Sequence, residues 1–268
     1  MISTDILRQV LTDNRNLVAQ KKVFPRDIEI GELPRCVLVG VRRSGKSNLL
    51  FSKIQSLLAS GHSWDKVLYV NFEDERLMGF DVADFYKLLE VHAELSGKDS
   101  LPALFLDEIQ LIEGWEKFAR RMADAQAEIY ITGSNAKMLS IQIAAALGGR
   151  FLTVNVFPLN FSEYLKAKGV AVRKDVWSST TGKARILREF AEFFEYGGLP
   201  ECVQFSNKLE YINSVFQKIY LGDIIVRNKV TNALPLRILL KKVAESIGQP
   251  VSSAMTFFQG KRNETFPE

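Results

Sequence analysis

The sequence predicts an α/β fold with one parallel sheet that is covered by helices on both faces. Five apolar runs of strand length alternate with helical patterns between residues 36 and 156, and strands that are apolar throughout are typical of a parallel sheet buried on both sides. A glycine-rich loop follows the first run, and an acidic pair ends the third. Right-handed crossovers bring such loops together at the carboxyl edge of the strands.

The predicted elements alternate regularly over residues 1–157. An amphipathic helix is expected over Thr4–Gln20, and a polar connector follows it with one short strand near Ile28–Ile30. The strands of the sheet are expected at Cys36–Val39, Val67–Asn71, Ala103–Asp107, Ile129–Thr132 and Phe151–Val156. The helices between them are expected at Lys46–Ala59, Val82–Leu95, Trp115–Ala125 and Ala136–Leu147.

The strand pattern ends near residue 158, and the rest of the chain has helical patterns only. Further helices are expected at Asn160–Lys168, Lys183–Tyr196, Lys208–Asn228 and Leu236–Ile247. The sequence therefore predicts two regions, a sheet-containing core over residues 1–157 and a helical region over residues 158–268.

Composition indicates a globular protein, since 47% of the 268 residues are hydrophobic and 25% are charged. No apolar run approaches the ~20 residues needed to cross a bilayer, and the N-terminus lacks the pattern of a secretion signal. We therefore expect a cytoplasmic protein without a membrane partner. Cys36 and Cys202 form no disulfide framework and no metal-binding pattern. The net charge of +4 permits a polyanionic partner without requiring one.

The most informative stretch is Gly40-x-x-x-x-Gly45-Lys46-Ser47, which follows an apolar strand and opens a helix. The glycines let the backbone turn tightly, so that its N–H groups can surround phosphate oxygens. Lys46 supplies a positive charge for the β- and γ-phosphates, and Ser47 supplies a hydroxyl ligand for Mg²⁺. The pattern predicts the P-loop of a nucleoside-triphosphate-binding protein.

The P-loop pattern also predicts which positions contact the nucleotide. They are Gly40, Arg43, Ser44, Gly45, Lys46, Ser47 and Asn48. Only the backbone is required at Arg43 and at its neighbour Arg42, so we expect their side chains to face solvent or a lid.

The third strand ends in Leu104-Phe105-Leu106-Asp107-Glu108. An acidic pair at the carboxyl end of an apolar strand is the Walker B arrangement, in which Asp107 would hold Mg²⁺ mainly through its water. Glu108 could accept a proton from the attacking water or orient it. Apolar strands that simply end in Asp-Glu are also common, but the position two strands after the P-loop favours the functional interpretation, and Glu108 favours hydrolysis.

Two further polar positions are candidates for catalysis. Ser134 or Asn135, after the fourth strand, could hold the lytic water, although either side chain could instead cap the following helix. Arg150, just before the fifth strand, could reach a phosphate in a neighbouring subunit. The alternative for Arg150 is a solvated or locally paired side chain.

Taken together, these motifs resemble those of AAA-type P-loop ATPases, and of one prokaryotic family among them. The resemblance rests on four segments over residues 40–47, 104–110, 131–135 and 157–164. It implies the sheet order 5-1-4-3-2 followed by a helical lid, and it implies ATP as the nucleotide. It also implies a sensor role for Ser134 or Asn135, an arginine finger at Arg150, and an adenine contact at Pro200 in the turn 197–201.

Members of this family usually continue well past residue 268, through a winged-helix-like region and a further C-terminal domain. Leu236–Val251 resembles the first helix of such a winged helix. The resemblance thus implies that residues 158–268 comprise a helical lid and the start of a truncated winged-helix-like region, in either a shortened or a degenerate member of the family.

Three functions fit these observations. The first is a Mg²⁺-dependent ATPase that acts as a molecular switch or remodeller on an unidentified client, with a homo-oligomer left open. The second is a nucleotide-gated adaptor with negligible hydrolysis, which would bind DNA or protein through basic helices. Their basic residues are also typical of a solvated face, and they are Arg227, Lys229, Arg237, Lys241 and Lys242. The third, a small-molecule kinase, lacks an acceptor signature.

Overall fold

A five-stranded parallel sheet organises the chain in this computed structural model, which describes residues 2–24, 26–28, 30, 34–98, 100–133, 147–170, 179–226 and 230–246. The strands are β1 (Arg35–Val39), β2 (Val67–Asn71), β3 (Ala103–Asp107), β4 (Ile129–Gly133) and β5 (Leu152–Asn155). They are arranged in the order β2-β3-β4-β1-β5. The expected 5-1-4-3-2 order is therefore confirmed.

Helices precede, connect and follow these strands. They are α1 (Thr4–Gln20), α2 (Lys46–Ala59), α3 (Asp84–Ser96), α4 (Trp115–Asp124), α5 (Phe161–Ala167), α6 (Thr180–Tyr196), α7 (Lys208–Gln217) and α8 (Ala233–Glu245). Short 3-10 turns lie at Trp64–Lys66, Glu75–Leu77, Ile109–Leu111 and Pro200–Gln204. The helix α1 begins where the sequence predicts, because the side chain of Ser3 accepts a hydrogen bond from the Ile6 N–H.

Strand register determines which polar residues meet at the carboxyl edge of the sheet. Asn71 at the end of β2 pairs with Asp107 at the end of β3. Val39, the last residue of β1, pairs with Gly133 of β4 and with Asn155 of β5. The loops that follow the strands therefore open along one edge, as expected for a parallel sheet.

Successive residues of each strand point to opposite faces of the sheet, and this alternation produces two apolar clusters. In β1, Val37 and Val39 join the first cluster, whereas Cys36 and Leu38 join the second. The first cluster is completed by α1, α3 and α4, and the second by α2. Burying each large apolar side chain contributes about 1.5–3 kcal/mol. The clusters on the two faces therefore stabilise the sheet, and the sheet in turn holds the edge where the loops meet.

Several boundaries differ from the predicted ones. The predicted helix Val82–Leu95 begins later, at Asp84, and the predicted helix Lys183–Tyr196 begins earlier, at Thr180. The earlier start has a local cause, since the Ser179 hydroxyl accepts a hydrogen bond of 3.0 Å from the Gly182 N–H. The predicted helix Lys208–Asn228 is α-helical only to Gln217 and continues as a π-helix over Lys218–Val226.

One predicted strand is not formed by the described residues, and one predicted helix falls almost entirely outside them. In the described part of the connector, Ile28 and Ile30 lie outside every strand. The predicted helix Ala136–Leu147 lies outside the described residues except for its last residue, Leu147, which is helical.

The chain divides into two compact units, Met1–Lys208 and Leu209–Glu268. The predicted boundary near residue 158 marks the end of the strands, but α5 and α6 still belong to the first unit. They share a third apolar cluster that includes Leu159, Tyr164 and Ile186. Both cysteines, Cys36 and Cys202, are buried in the first unit as free thiols.

The described part of the second unit is helical and exposes many apolar side chains. The exposed apolar residues of α8 are Leu234, Ile238, Leu239 and Val243. No helix in the described portion of the chain combines the length and apolar character needed to cross a membrane.

The stacked pair Phe85 and Phe118 provides a test of the first cluster, because the two ring centroids lie 4.0 Å apart. We expect Phe85→Ala to lower the free energy of unfolding by about 3–5 kcal/mol, the usual cost of removing a buried aromatic ring. The neighbouring Tyr86 is 61% exposed, so Tyr86→Ala should change stability by less than about 0.5 kcal/mol. Urea denaturation of both variants measures the difference, and equal losses would contradict this packing.

Candidate functional site

The loop after β1 turns sharply at two glycines. A Cβ atom at Gly40 would lie 2.1 Å from the carbonyl oxygen of Val156, so that only glycine allows the loop to pass so close to the end of β5. Gly45 has a φ of 98°, which L-residues rarely adopt. The helix α2 begins at the next residue, and the amides of its first turn have no carbonyl acceptors within the helix. The loop therefore ends in a group of free backbone donors.

Lys46 is buried beside this loop. Its Nζ atom donates hydrogen bonds to the carbonyl oxygens of Gly40 at 3.1 Å and Val41 at 3.0 Å. Burial lowers the pKa of Lys46, while the nearby carboxylates of Glu108 and Asp107 act in the opposite direction. A desolvated ammonium whose hydrogen bonds to described residues go to neutral carbonyl oxygens is well suited to bind an anion.

Asp107 lies almost completely buried at the end of β3 and is surrounded by hydroxyl donors. The hydroxyl of Thr132 donates to Oδ1, and that of Tyr69 donates to Oδ2 at 3.0 Å. The Ser47 side chain also hydrogen-bonds to Asp107. Burial raises the pKa of Asp107, and these hydrogen bonds counteract part of that effect.

Glu108 has a left-handed backbone conformation with a φ of 54°. Such a conformation costs a non-glycine residue on the order of 1–3 kcal/mol. Its N–H donates to the Thr132 hydroxyl at 3.0 Å, and its carboxylate accepts a hydrogen bond from the side chain of Gln110. Thr132 thus fixes both members of the acidic pair.

The residues present fit a magnesium nucleotide. The Ser47 hydroxyl and the Asp107 carboxylate carry the kind of oxygen ligands that Mg²⁺ prefers, and Ser47 is close enough to Asp107 to counteract part of the rise in its pKa. The hydroxyl of Ser44 is buried in the loop and has no hydrogen-bond partner among the described residues. Together with the buried Lys46, this arrangement provides donors for phosphate and ligands for a hard cation.

The remaining predicted nucleotide contacts lie around the same loop. Arg43 has a φ of 62°, and its guanidinium donates to Glu201 at 2.9 Å, so that its side chain faces the turn after α6. Pro200 of that turn is buried, and its Cγ atom lies 3.5 Å from the position that a Cβ of Gly45 would occupy. Asn48 lies in the first turn of α2.

The predicted catalytic residues outside the loop and the acidic pair have different outcomes. Arg150 donates to Asp124 at 2.8 Å, and it precedes β5, at the opposite edge of the sheet from the loop. Within one chain it is the locally paired arginine that the sequence left as an alternative. Ser134 and Asn135 lie outside the described residues, so their predicted role remains a prediction.

Four residues that the sequence analysis did not select also support the site. Tyr69 and Thr132 are hydroxyl-bearing residues within otherwise apolar strands, which was the only signal of their contact with Asp107. Arg26 and Glu163 form an ion pair at 2.8 Å with side chains that are only 3% and 2% exposed. They are separated by 137 residues in the chain, and no sequence pattern connects them.

Glu163 has several hydrogen-bond donors in addition to Arg26. Its carboxylate accepts from the N–H of Asp27 at 2.7 Å and from that of Asn160 at 2.9 Å, and the second bond belongs to the capping box of α5. Burial acts to raise the pKa of Glu163, but the hydrogen bonds and the charge of Arg26 outweigh burial and hold it below its ordinary value.

Comparisons with known proteins give the following similarities. A family model described as an AAA domain matches residues 34–165. An uncharacterized protein of Methanocaldococcus jannaschii is 37% identical over 89% of this chain and 53% of its own length. An uncharacterized protein of Haemophilus influenzae is 34% identical over 81% of this chain and 52% of its own. The chain thus spans about half the length of these curated relatives. A solved Walker-type ATPase of Pyrococcus abyssi is 14% identical, with a TM-score of 0.44 over 100% of this chain and 86% of that one.

The pair Arg26–Glu163 predicts a specific dependence of stability on pH. Because the folded-state pKa of Glu163 is below the ordinary 4.5, its contribution is fully present above pH 4.5 and is lost as the pH falls through the folded-state pKa. We expect Glu163→Gln to lower the free energy of unfolding by about 3–5 kcal/mol at pH 7, since it leaves Arg26 buried without a charged partner. The difference from the wild type should shrink in acid.

Urea denaturation between pH 7 and pH 3 measures this difference. Glu90→Gln, which removes the same charge from the exposed surface of α3, is the matched control. A stability difference for Glu163→Gln that stays constant over the whole pH range would contradict the ion pair.

Proposed function

We propose that the chain, whose residues 34–165 match a family model described as an AAA domain, binds ATP with Mg²⁺ and hydrolyses it to ADP and phosphate. The observation that carries this proposal is the meeting of Lys46, Ser47, Asp107 and Glu108 at one edge of the sheet. The two buried charges of opposite sign, Lys46 and Asp107, match the phosphates and the cation of such a substrate.

Phosphate binding is supported by the groups that the loop leaves available. The Lys46 ammonium has neutral carbonyl partners, and a phosphate oxygen is a stronger acceptor because it is charged. The first-turn amides of α2 and the dipole of that helix also favour an anion. Pro200, which is buried next to Gly45, is the proposed contact for the adenine ring.

The two residues of the acidic pair have different proposed roles. Asp107 and the hydroxyl of Ser47 would hold Mg²⁺, which supplies charge neutralisation on the phosphate oxygens when it is bound. Glu108 is the proposed group that accepts a proton from the attacking water or orients it. The Gln110 side chain donates a hydrogen bond to the Glu108 carboxylate, and Thr132 fixes the backbone from which that carboxylate projects.

Two further roles complete the proposal. Asn135 would position the attacking water after β4, with Ser134 as the alternative. Arg150 lies at the edge of the sheet opposite the loop, so it would act on nucleotide bound by a second copy of the chain. Such an assembly is typical of a switch or remodeller that couples hydrolysis to a change in another molecule, its client.

Lys46→Ala tests the phosphate site. We expect this variant to lose detectable ATP binding, because it removes the buried positive charge for the β- and γ-phosphates. Calorimetric titration with ATP and Mg²⁺ measures binding. Lys53→Ala is the matched control, since it makes the same change further along α2, where Lys53 lies over the ring of Tyr130. Wild-type affinity in Lys46→Ala would exclude this assignment of the site.

Glu108→Gln tests hydrolysis separately from binding. We expect the variant to bind ATP as the wild type does and to release phosphate about 10²- to 10⁴-fold more slowly, the usual contribution of a general base. Glu113→Gln, which makes the same change at an exposed position after β3, should retain activity.

Phosphate release should be followed over a wide range of protein concentration. Specific activity that rises with concentration would support a role for Arg150 across subunits. A wild-type protein that binds ATP without turning it over at any concentration would contradict the hydrolase proposal and favour a nucleotide-gated adaptor.

A further inference from the structure

Arg26 is a charged residue that is buried next to the P-loop and joins three separate parts of the chain. Its Nε atom donates to the Glu163 carboxylate of α5 at 2.8 Å. Its Nη1 atom donates to the carbonyl oxygen of Ser44 at 2.9 Å, and its Nη2 atom donates to that of Phe157 at 2.8 Å. Burial of this charge requires all three acceptors, because an unpaired buried guanidinium is costly.

The bond to Ser44 determines the orientation of one peptide unit in the loop. A trans peptide is planar, and its C=O and N–H groups point in opposite directions. There is no cis peptide bond in the described part of the chain. When Arg26 holds the Ser44 carbonyl on its own side of the loop, the N–H of Gly45 must point away from Arg26. In P-loops the backbone N–H groups surround the phosphates, so this bond selects the orientation that phosphate binding needs.

Gly45 gives a second indication that the guanidinium lies close against the loop. A Cβ atom at this position would lie 3.0 Å from Nη1 of Arg26. The guanidinium therefore packs directly against the Ser44–Gly45 peptide whose carbonyl oxygen it binds. The positive φ of Gly45 and the contact with Arg26 therefore both bear on the orientation of the Ser44–Gly45 peptide.

Glu163 keeps Arg26 in this position. It is itself fixed by the N–H groups of Asp27 and Asn160, so its carboxylate is part of the α5 cap rather than a mobile side chain. The three donors of Arg26 lie in the fixed plane of the guanidinium, and a lysine ammonium on its flexible stem cannot satisfy the same three acceptors in that geometry.

We propose that Arg26 is a positioning residue for polyphosphate binding: it orients the Gly45 N–H toward the β-phosphate of a nucleoside di- or triphosphate, and Glu163 holds it in place. This inference rests on the proposed binding of ATP. It assigns a role in the nucleotide site to the connector between α1 and β1, which lies outside the P-loop and the acidic pair.

The test compares nucleotides that differ in their phosphates. We expect Arg26→Lys and Arg26→Met to bind ATP and ADP about 10- to 100-fold more weakly than the wild type, the range for losing a hydrogen bond from a charged group. AMP, which lacks the β-phosphate, should bind all variants with the wild-type affinity. Calorimetric titration gives the ATP and ADP affinities, and competition against ATP gives the AMP affinity.

Lys166→Met is the matched control. Lys166 pairs with Asp27 at 2.6 Å, so it joins the same connector to α5 through an exposed ion pair that does not reach the P-loop. It should bind all three nucleotides as the wild type does. A loss in this variant equal to the loss in Arg26→Lys would mean that loosening α5, rather than reorienting Gly45, weakens binding, and would overturn the inference.

The other outcomes also decide the question. Folded Arg26 variants that bind ATP with wild-type affinity would overturn the inference, and so would an equal loss for ATP, ADP and AMP, which indicates a general structural role. If Arg26→Met unfolds, Arg26→Lys decides, and unfolding of both variants would favour a structural role alone. Failure of the wild type to bind any nucleotide would instead refute the proposed function.

Discussion

The burial of two opposite charges at one edge of the sheet is the constraint on which the site depends. Lys46 and Asp107 are both removed from water, which is costly unless each finds polar partners. Lys46 finds loop carbonyls, and Asp107 finds the hydroxyls of Ser47, Tyr69 and Thr132. The parallel sheet makes this possible, because its register brings the ends of β1, β3 and β4 together while two apolar clusters cover its faces.

Much of the fold could be predicted because local patterns encode it. Strand positions, the extent of α1 and the P-loop turn follow from apolar runs, helical periodicity and two glycines, whereas the strand order was implied by the resemblance to a known family. The division into compact units at residue 208 has no local signal in the sequence, because it depends on tertiary packing: α5 and α6 share the cluster around Tyr164. The π-helix Lys218–Val226 has an apolar sequence that periodicity does not distinguish from an α-helix.

The site was predictable only where a motif is contiguous. The loop and the acidic pair lie in short segments whose spacing has a direct physical meaning. Arg26 and Glu163 form an ion pair although 137 positions separate them in the chain, and in the sequence each has the pattern of an ordinary surface charge. Thr132 looks like a strand residue, although its hydroxyl links both acids. The sequence predicted that Arg150 lies just before the fifth strand but did not predict its partner, because its ion pair with Asp124 depends on where α4 ends.

The state of the two cysteines has a practical consequence. Burial raises the pKa of Cys36 to about 12 and also raises the pKa of Cys202, and the thiolate is the form that reacts with alkylating reagents. Both native thiols should therefore stay unmodified while the protein is folded. A cysteine introduced on the exposed side of α6 and another on α8 could carry fluorophores in the otherwise native sequence, so that the separation of the two units becomes measurable in solution.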